Sequence, residues 1–190
     1  RITGSCDKAL DNYLEAYKIY DSLSLDADRA GALYHIGWIY FEWGMMDEAG
    51  SYFARSMDIY RKRDLRQGIA WSLCGQSTIL RFEGSYAKSL AGYREALKIF
   101  RETENLTGIM SALNYMGLVY YYMEDFDKAL AFYQEALGTA RSLNLAASIA
   151  LFRNNGAYIN YERDRYEEAI KGYAEALPAI RQIRDRSLES

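Results

Sequence analysis

An all-α fold built from stacked antiparallel helix pairs follows from three observations. Aromatic residues return every forty positions, at Tyr13, Phe53, Tyr93, Tyr133 and Tyr173. The 190 residues contain one proline. Long apolar stripes recur at the 3.6-residue spacing of a helix, as in Ala129, Leu130, Tyr133, Ala136, Leu137 and Ala140. A period in this range marks supersecondary units that cannot hide their apolar faces alone and must stack.

The first element is a lone second helix, residues 7–26, beginning near Ala9-Leu10. Four full pairs follow, at 27–66, 67–106, 107–146 and 147–186. The first helix of each pair is expected near 27–44, 66–83, 106–123 and 146–163. The second begins near Asp47-Ala49, Ala87-Leu90, Asp127-Leu130 and Glu167-Ile170. Gly44 and Gly84 suit the left-handed residue that closes a helix. Glu124 and Asp164 stand in their place later, so those turns are expected to differ. Asp47, Asp127 and Glu167 fall in a first turn, where a carboxylate meets the positive end of the helix dipole. Leu25, Leu65 and Leu145 punctuate what read as longer connections between pairs. Gly37, Gly117 and Gly156 are expected where helices approach closely, opposite Ala49, Ala129 and Ala169.

The fourth pair breaks register. A strict forty-residue spacing puts Arg153 and Asn160 in the core, and an unpaired buried guanidinium is costly. A one-residue shift buries Ile149, Phe152, Gly156 and Ile159 instead, and implies an extra residue in the turn around Arg163-Asp164-Arg165. The second pair carries Gln76 and Ser77 at positions that are apolar and glycine elsewhere.

Composition narrows the function classes. Net charge is −3, so no global field attracts nucleic acid. The cations Arg61, Lys62, Arg63 and Arg66 read as a solvated helix end. No apolar run approaches the roughly 20 residues of a membrane span. The two cysteines, Cys6 and Cys74, do not make a disulfide scaffold and fit a reducing, cytoplasmic setting. The single histidine, His35, has no partner at catalytic or metal spacing and reads as structural. No phosphate-binding glycine loop appears. No enzyme activity, metal or cofactor is expected.

The chain resembles the tetratricopeptide repeat in its forty-residue variant. Leu33, Gly37, Tyr40, Gly44, Ala49 and Phe53 carry the resemblance in one unit; Leu113, Gly117, Tyr120, Phe126, Ala129, Tyr133 and Ala136 carry it in another. The unit is longer than the family's usual one and lacks its usual proline. The resemblance implies a right-handed superhelical solenoid whose first helices line a concave groove. Groove positions would then hold Tyr34, Trp38 and Phe41; Trp71, Cys74, Thr78 and Arg81; Asn114, Leu118 and Tyr121; and, in the shifted register, Arg153, Asn154 and Ala157. Aromatics give apolar area with a polar tip, arginines pair with carboxylates, and asparagine amides pair with peptide backbone. The same side chains also suit packing on neighbouring helices. Tyr34 and Trp38 occupy positions where chaperone-binding relatives carry lysine and asparagine, so a chaperone tail is not the expected ligand.

The leading expectation is a non-enzymatic module that binds a peptide segment of a protein partner, with arginines favouring acidic groups. A ligand-sensing regulatory domain of a larger signalling protein and self-association through uncapped ends are the alternatives. Neither end carries a polar cap, which reads as a fragment of a longer protein or as end-to-end stacking.

Overall fold

A computed structural model describes the backbone of residues 3–188 and the side chains of residues 7–181. Among them the chain forms α1 (Thr3–Ser22), α2 (Asp26–Glu42), α3 (Met46–Lys62), α4 (Arg66–Phe82), α5 (Tyr86–Glu102), α6 (Leu106–Tyr122), α7 (Phe126–Ser142), α8 (Ala146–Glu162) and α9 (Tyr166–Leu188). No strand occurs among the described residues. The expected first and second helices are all present within two or three residues of their expected ends, apart from α1, which begins four residues earlier. Helix α9 runs to Leu188, two residues past the expected end of the fourth pair, and the thiol of Cys6 lies outside the described residues.

Two compact units form, Arg1–Asn105 and Leu106–Ser190. In the first, each helix from α1 to α4 packs on its successor, and the two first helices α2 and α4 also lie side by side. In the second, α6 to α9 pack in the same consecutive way.

The connections are uniform. Ser24, Gly44, Asp64, Gly84, Glu104, Glu124, Asn144 and Asp164 all have positive φ, between 52° and 77°, and follow one another every twenty residues. At each turn the next amide reaches back to a carbonyl five residues earlier, as Met45 N–H does to Tyr40 O (2.9 Å) and Asp125 N–H to Tyr120 O (2.9 Å). This is the Schellman closure. Turns within and between pairs therefore have the same length. Leu25, Leu65 and Leu145 are N-cap residues of three-residue links, not markers of longer ones. Glu124 and Asp164 adopt the backbone of Gly44, because the closing hydrogen bond offsets the cost of a side chain in that region.

In unit one the core centres on Phe53, whose ring sits between two glycines. A β-carbon on Gly37 or on Gly75 would come within 2.7 Å of it. Gly75 was not singled out by the sequence. Ala49 and Ile79 are buried with it, and Tyr93 and Phe100 on α5 are also fully buried. The second pair packs well despite its departures: Ser77 is buried opposite Gly92, and Ser89 Oγ donates to Ser77 O at 2.7 Å. In unit two Leu113, Val119, Ala129 and Ala136 are fully buried, and a β-carbon on Gly117 would stand 2.5 Å from Tyr133 Cε1.

The shifted register of the fourth pair is not observed. Helix α8 starts forty residues after α6, and Arg163–Arg165 is an ordinary three-residue link. Ala150, Phe152, Ala157 and Ile159 are buried where Met110, Ala112, Gly117 and Val119 lie one repeat earlier. Arg153 is accommodated because it is paired: it donates to the backbone oxygen of Glu175 and its Nη2 lies 3.4 Å from the Glu175 carboxylate. Ala157, not Gly156, makes the close approach, against Gly172.

Candidate functional site

Helix α2 carries Tyr34, Trp38 and Phe41 on one face, because residues three and four apart share a side. Helix α4 lies alongside and adds Trp71 near its start and Phe82 at its end. The five rings form one run. Centroids are 6.4 Å apart for Trp71–Tyr34, 6.2 Å for Tyr34–Trp38, 5.3 Å for Trp38–Phe41 and 5.0 Å for Phe41–Phe82. Trp38 and Tyr34 rest on Phe53 below, so the strip is footed on the core while its upper faces stay partly in water. Phe82 is 54% exposed. At about 1.5 Å of rise per residue, Trp71 and Phe82 are roughly 16 Å apart along α4.

Trp71 also walls a cavity of about 560 Å³ that Ala27, Asp28, Tyr60, Leu65 and Gln67 help to line. Burial, with the Asp28 charge as a smaller cause, pushes the Tyr60 phenol up from its ordinary value.

Arg81 lies beneath the end of the strip, buried, with its guanidinium 4.3 Å from the Phe82 ring centre. Its neighbours are Thr78 and Tyr93. Thr78 Oγ1 donates to Cys74 O at 2.9 Å, which leaves the Tyr93 hydroxyl to donate to Thr78, 2.8 Å away. Burial raises the Tyr93 phenol, opposed by the nearby Arg81 guanidinium. Cys74 is a free, buried thiol whose pKa burial raises strongly. It is no nucleophile.

Unit two divides its expected site residues. Asn114 Oδ1 accepts from Asn155 Nδ2 at 3.0 Å. Tyr121 touches Tyr122, Phe126 and Tyr158. Asn154 is exposed. Arg153 turns to α9 and Glu175, away from Asn154. It borders a cavity of about 140 Å³ with Leu130, Phe152, Gly156, Asn160 and Gly172. Phe82, Asn155, Tyr158 and Tyr161 join these residues in the structure without having been among those expected; the forty-residue spacing Phe41, Tyr121, Tyr161 points to the last of these.

His35 is exposed but stacks on Tyr13, centroids 4.9 Å apart, and loss of water from the ring lowers its pKa. Among the described residues no cluster of three histidine, cysteine or acidic side chains is placed to hold a metal, and no helix is long and apolar enough to cross a membrane.

Stacked helix pairs with a half-open aromatic face define a helical-repeat protein of the protein-interaction kind. The chain belongs to the tetratricopeptide repeat family: models described as tetratricopeptide repeat match residues 30–63 and 68–142. No curated protein matches the sequence. Among solved structures it is similar to BtubC (BKLC) of P. vanneervenii, with 20% identity, a TM-score of 0.76, and coverage of 96% of this chain and 76% of that one. It is similar to a Rap protein solved complexed with competence and sporulation factor (18% identity, TM-score 0.87), covering 97% of this chain and 52% of that one. A STAND protein with a tetratricopeptide repeat sensor from Pyrococcus horikoshii also matches, at 18% identity and TM-score 0.71, over 85% of this chain and 25% of that one. The chain thus spans about half of the Rap protein and a quarter of the STAND protein. At these identities the likeness is one of fold: an all-α solenoid of tetratricopeptide type.

Proposed function

We propose that the chain is a non-enzymatic docking module that takes a peptide segment of a partner protein on the aromatic strip of unit one. The run Trp71, Tyr34, Trp38, Phe41, Phe82 carries this reading: five rings in contact, supported from below and open above. Such rigid amphipathic rings give contact area at low entropic cost and are favoured anchors in interfaces. A strip of roughly 16 Å accommodates about five residues of extended chain. Arg81, buried beneath the Phe82 end, adds a positive field there that favours an acidic group. The Rap protein's complex with a factor is consistent with the same use of the fold.

The test is capture of partners from source lysate on the intact chain and on Phe41→Ala and Phe82→Ala, with thermal unfolding measured in parallel. Loss of specific partners with unchanged unfolding is expected. Partner capture that survives both substitutions would remove the strip as the site.

Regulation by a sensed ligand is a second reading, supported by the cavity beside Trp71 and by the sensor role named for the STAND protein's repeats. Self-association is a third. It rests on the exposed apolar stripe Ile170, Tyr173, Leu177 and Ile180 on α9, and light scattering that shows a monomer at every concentration would eliminate it.

A further inference from the structure

Unit two carries a separate aromatic surface. Tyr121 on α6, Tyr158 and Tyr161 on α8, and Tyr166 at the start of α9 form a run of rings with centroids 5.8, 6.4 and 5.8 Å apart. Unlike the strip of unit one, this run is largely in water: Tyr158 is 45% exposed and Tyr161 and Tyr166 are each 53% exposed. Core packing does not account for them, because Phe152, Ile159 and Tyr133 already fill the interior of this unit.

The hydroxyls tie carboxylates to the edge of the ring surface. Tyr166 donates to Asp164 Oδ1 at 2.6 Å. Tyr158 touches Tyr121, and Glu162 lies one turn further along the same face of α8; the Tyr121 hydroxyl and the Glu162 charge push the Tyr158 phenol up. The two flanking segments, 122–128 and 162–168, hold seven carboxylates against three cations. Two of those cations are already engaged, Lys128 by Asp125 and Arg163 by Asp127. Electron-rich ring faces therefore lie inside a negative local field, and both attract a cation.

The geometry selects among cations. Neighbouring rings touch, so no gap remains for a cation to slip between them; it must lie flat on the surface. A planar guanidinium can stack on a tyrosine face while donating two parallel hydrogen bonds to a carboxylate beside it, and a compact ammonium cannot do both. We propose that this tyrosine face docks an arginine-bearing segment of a partner protein, its guanidinium stacked on Tyr158 or Tyr161 and hydrogen-bonded to Glu162.

Fluorescence anisotropy of the whole chain with labelled peptides of four Arg-Gly repeats, four Lys-Gly repeats and four Glu-Gly repeats tests this. The arginine peptide should bind about threefold or more tighter than the lysine peptide, the order of a stacked cation at an exposed ring. The Glu-Gly peptide should not bind. Tyr158→Ala with Tyr161→Ala should remove the arginine preference, and Glu162→Gln should weaken arginine binding by a similar factor. Circular dichroism checks that each variant folds; Glu162→Gln alters only a surface carboxylate and stands as the test should the double variant unfold. Equal binding of arginine and lysine peptides, affinity unaffected by these substitutions, or no binding of the arginine peptide would each overturn the proposal.

Discussion

Gly172 on α9 lies so close to Ala157 on α8 that a β-carbon on the glycine would stand 2.8 Å from the alanine methyl. Gly92 faces Ser77 in the same way in unit one. In the other two pairs the room is made on the first helix, where Gly37 and Gly117 accept the rings of Phe53 and Tyr133. Close approach is thus a property of the pair, and either helix supplies the missing side chain.

Glycine substitutions should therefore split by sign. Gly117→Ala and Gly172→Ala should each lose about 1–3 kcal/mol, the cost of forcing packed helices apart. Gly156→Ala should gain up to about 1 kcal/mol, since its β-carbon meets only Leu130 Cδ2 at 3.7 Å and alanine favours the helix. Chemical denaturation of the three variants measures this.

The turns make a second prediction. Glu124 has φ 59° and Asn144 has φ 55°. Glutamate is strained there and asparagine much less so, whereas glycine is not. Glu124→Gly should raise stability by about 0.5–1 kcal/mol, and Asn144→Gly by less. Gly44→Ala should lower it by about 1 kcal/mol. Equal effects at positions 124 and 144 would contradict the account.

His35 makes a third. Its pKa is lowered by loss of water against Tyr13, so the folded state favours neutral imidazole. Its contribution to stability is complete above the unfolded value of about 6.5 and is lost as pH falls through the lower folded value. Proton NMR should place the His35 transition below 6.5, and Tyr13→Ala should move it upward. A transition at or above the ordinary value would refute this.

Arg153 and Glu175 make a fourth. Leucine stands at the equivalent positions 33, 73 and 113. Arg153→Leu should hold stability or raise it by about 1 kcal/mol, because partly buried ion pairs repay little of their desolvation. Glu175→Ala should lower it by about 1 kcal/mol, leaving the guanidinium with only the backbone oxygen. Thermal melts of both variants decide it.

The helices were legible because their apolar stripes and aromatic markers repeat without interruption. The uniform turn was not, since serine, glycine, aspartate, glutamate and asparagine share one backbone shape there and no one residue type announces it. Arg153 and Asn160 misled the register of α8: they looked too polar for inward positions, yet Glu175 pairs with the first and small neighbours leave room for both. That same shift hid Tyr158 and Tyr161, which the unshifted spacing aligns with Trp38 and Phe41. Tyr34, Trp38, Phe41 and Trp71, expected on one face, do form one run of touching rings, to which the structure adds Phe82, the last residue of its helix and outside the groove pattern.

Because each joint is the same three-residue hinge, a genetic crossover struck at any one of them would deliver a helix in phase with its new neighbours. Faces such as the tyrosine surface could then be exchanged wholesale, with the spine needing no new kind of corner.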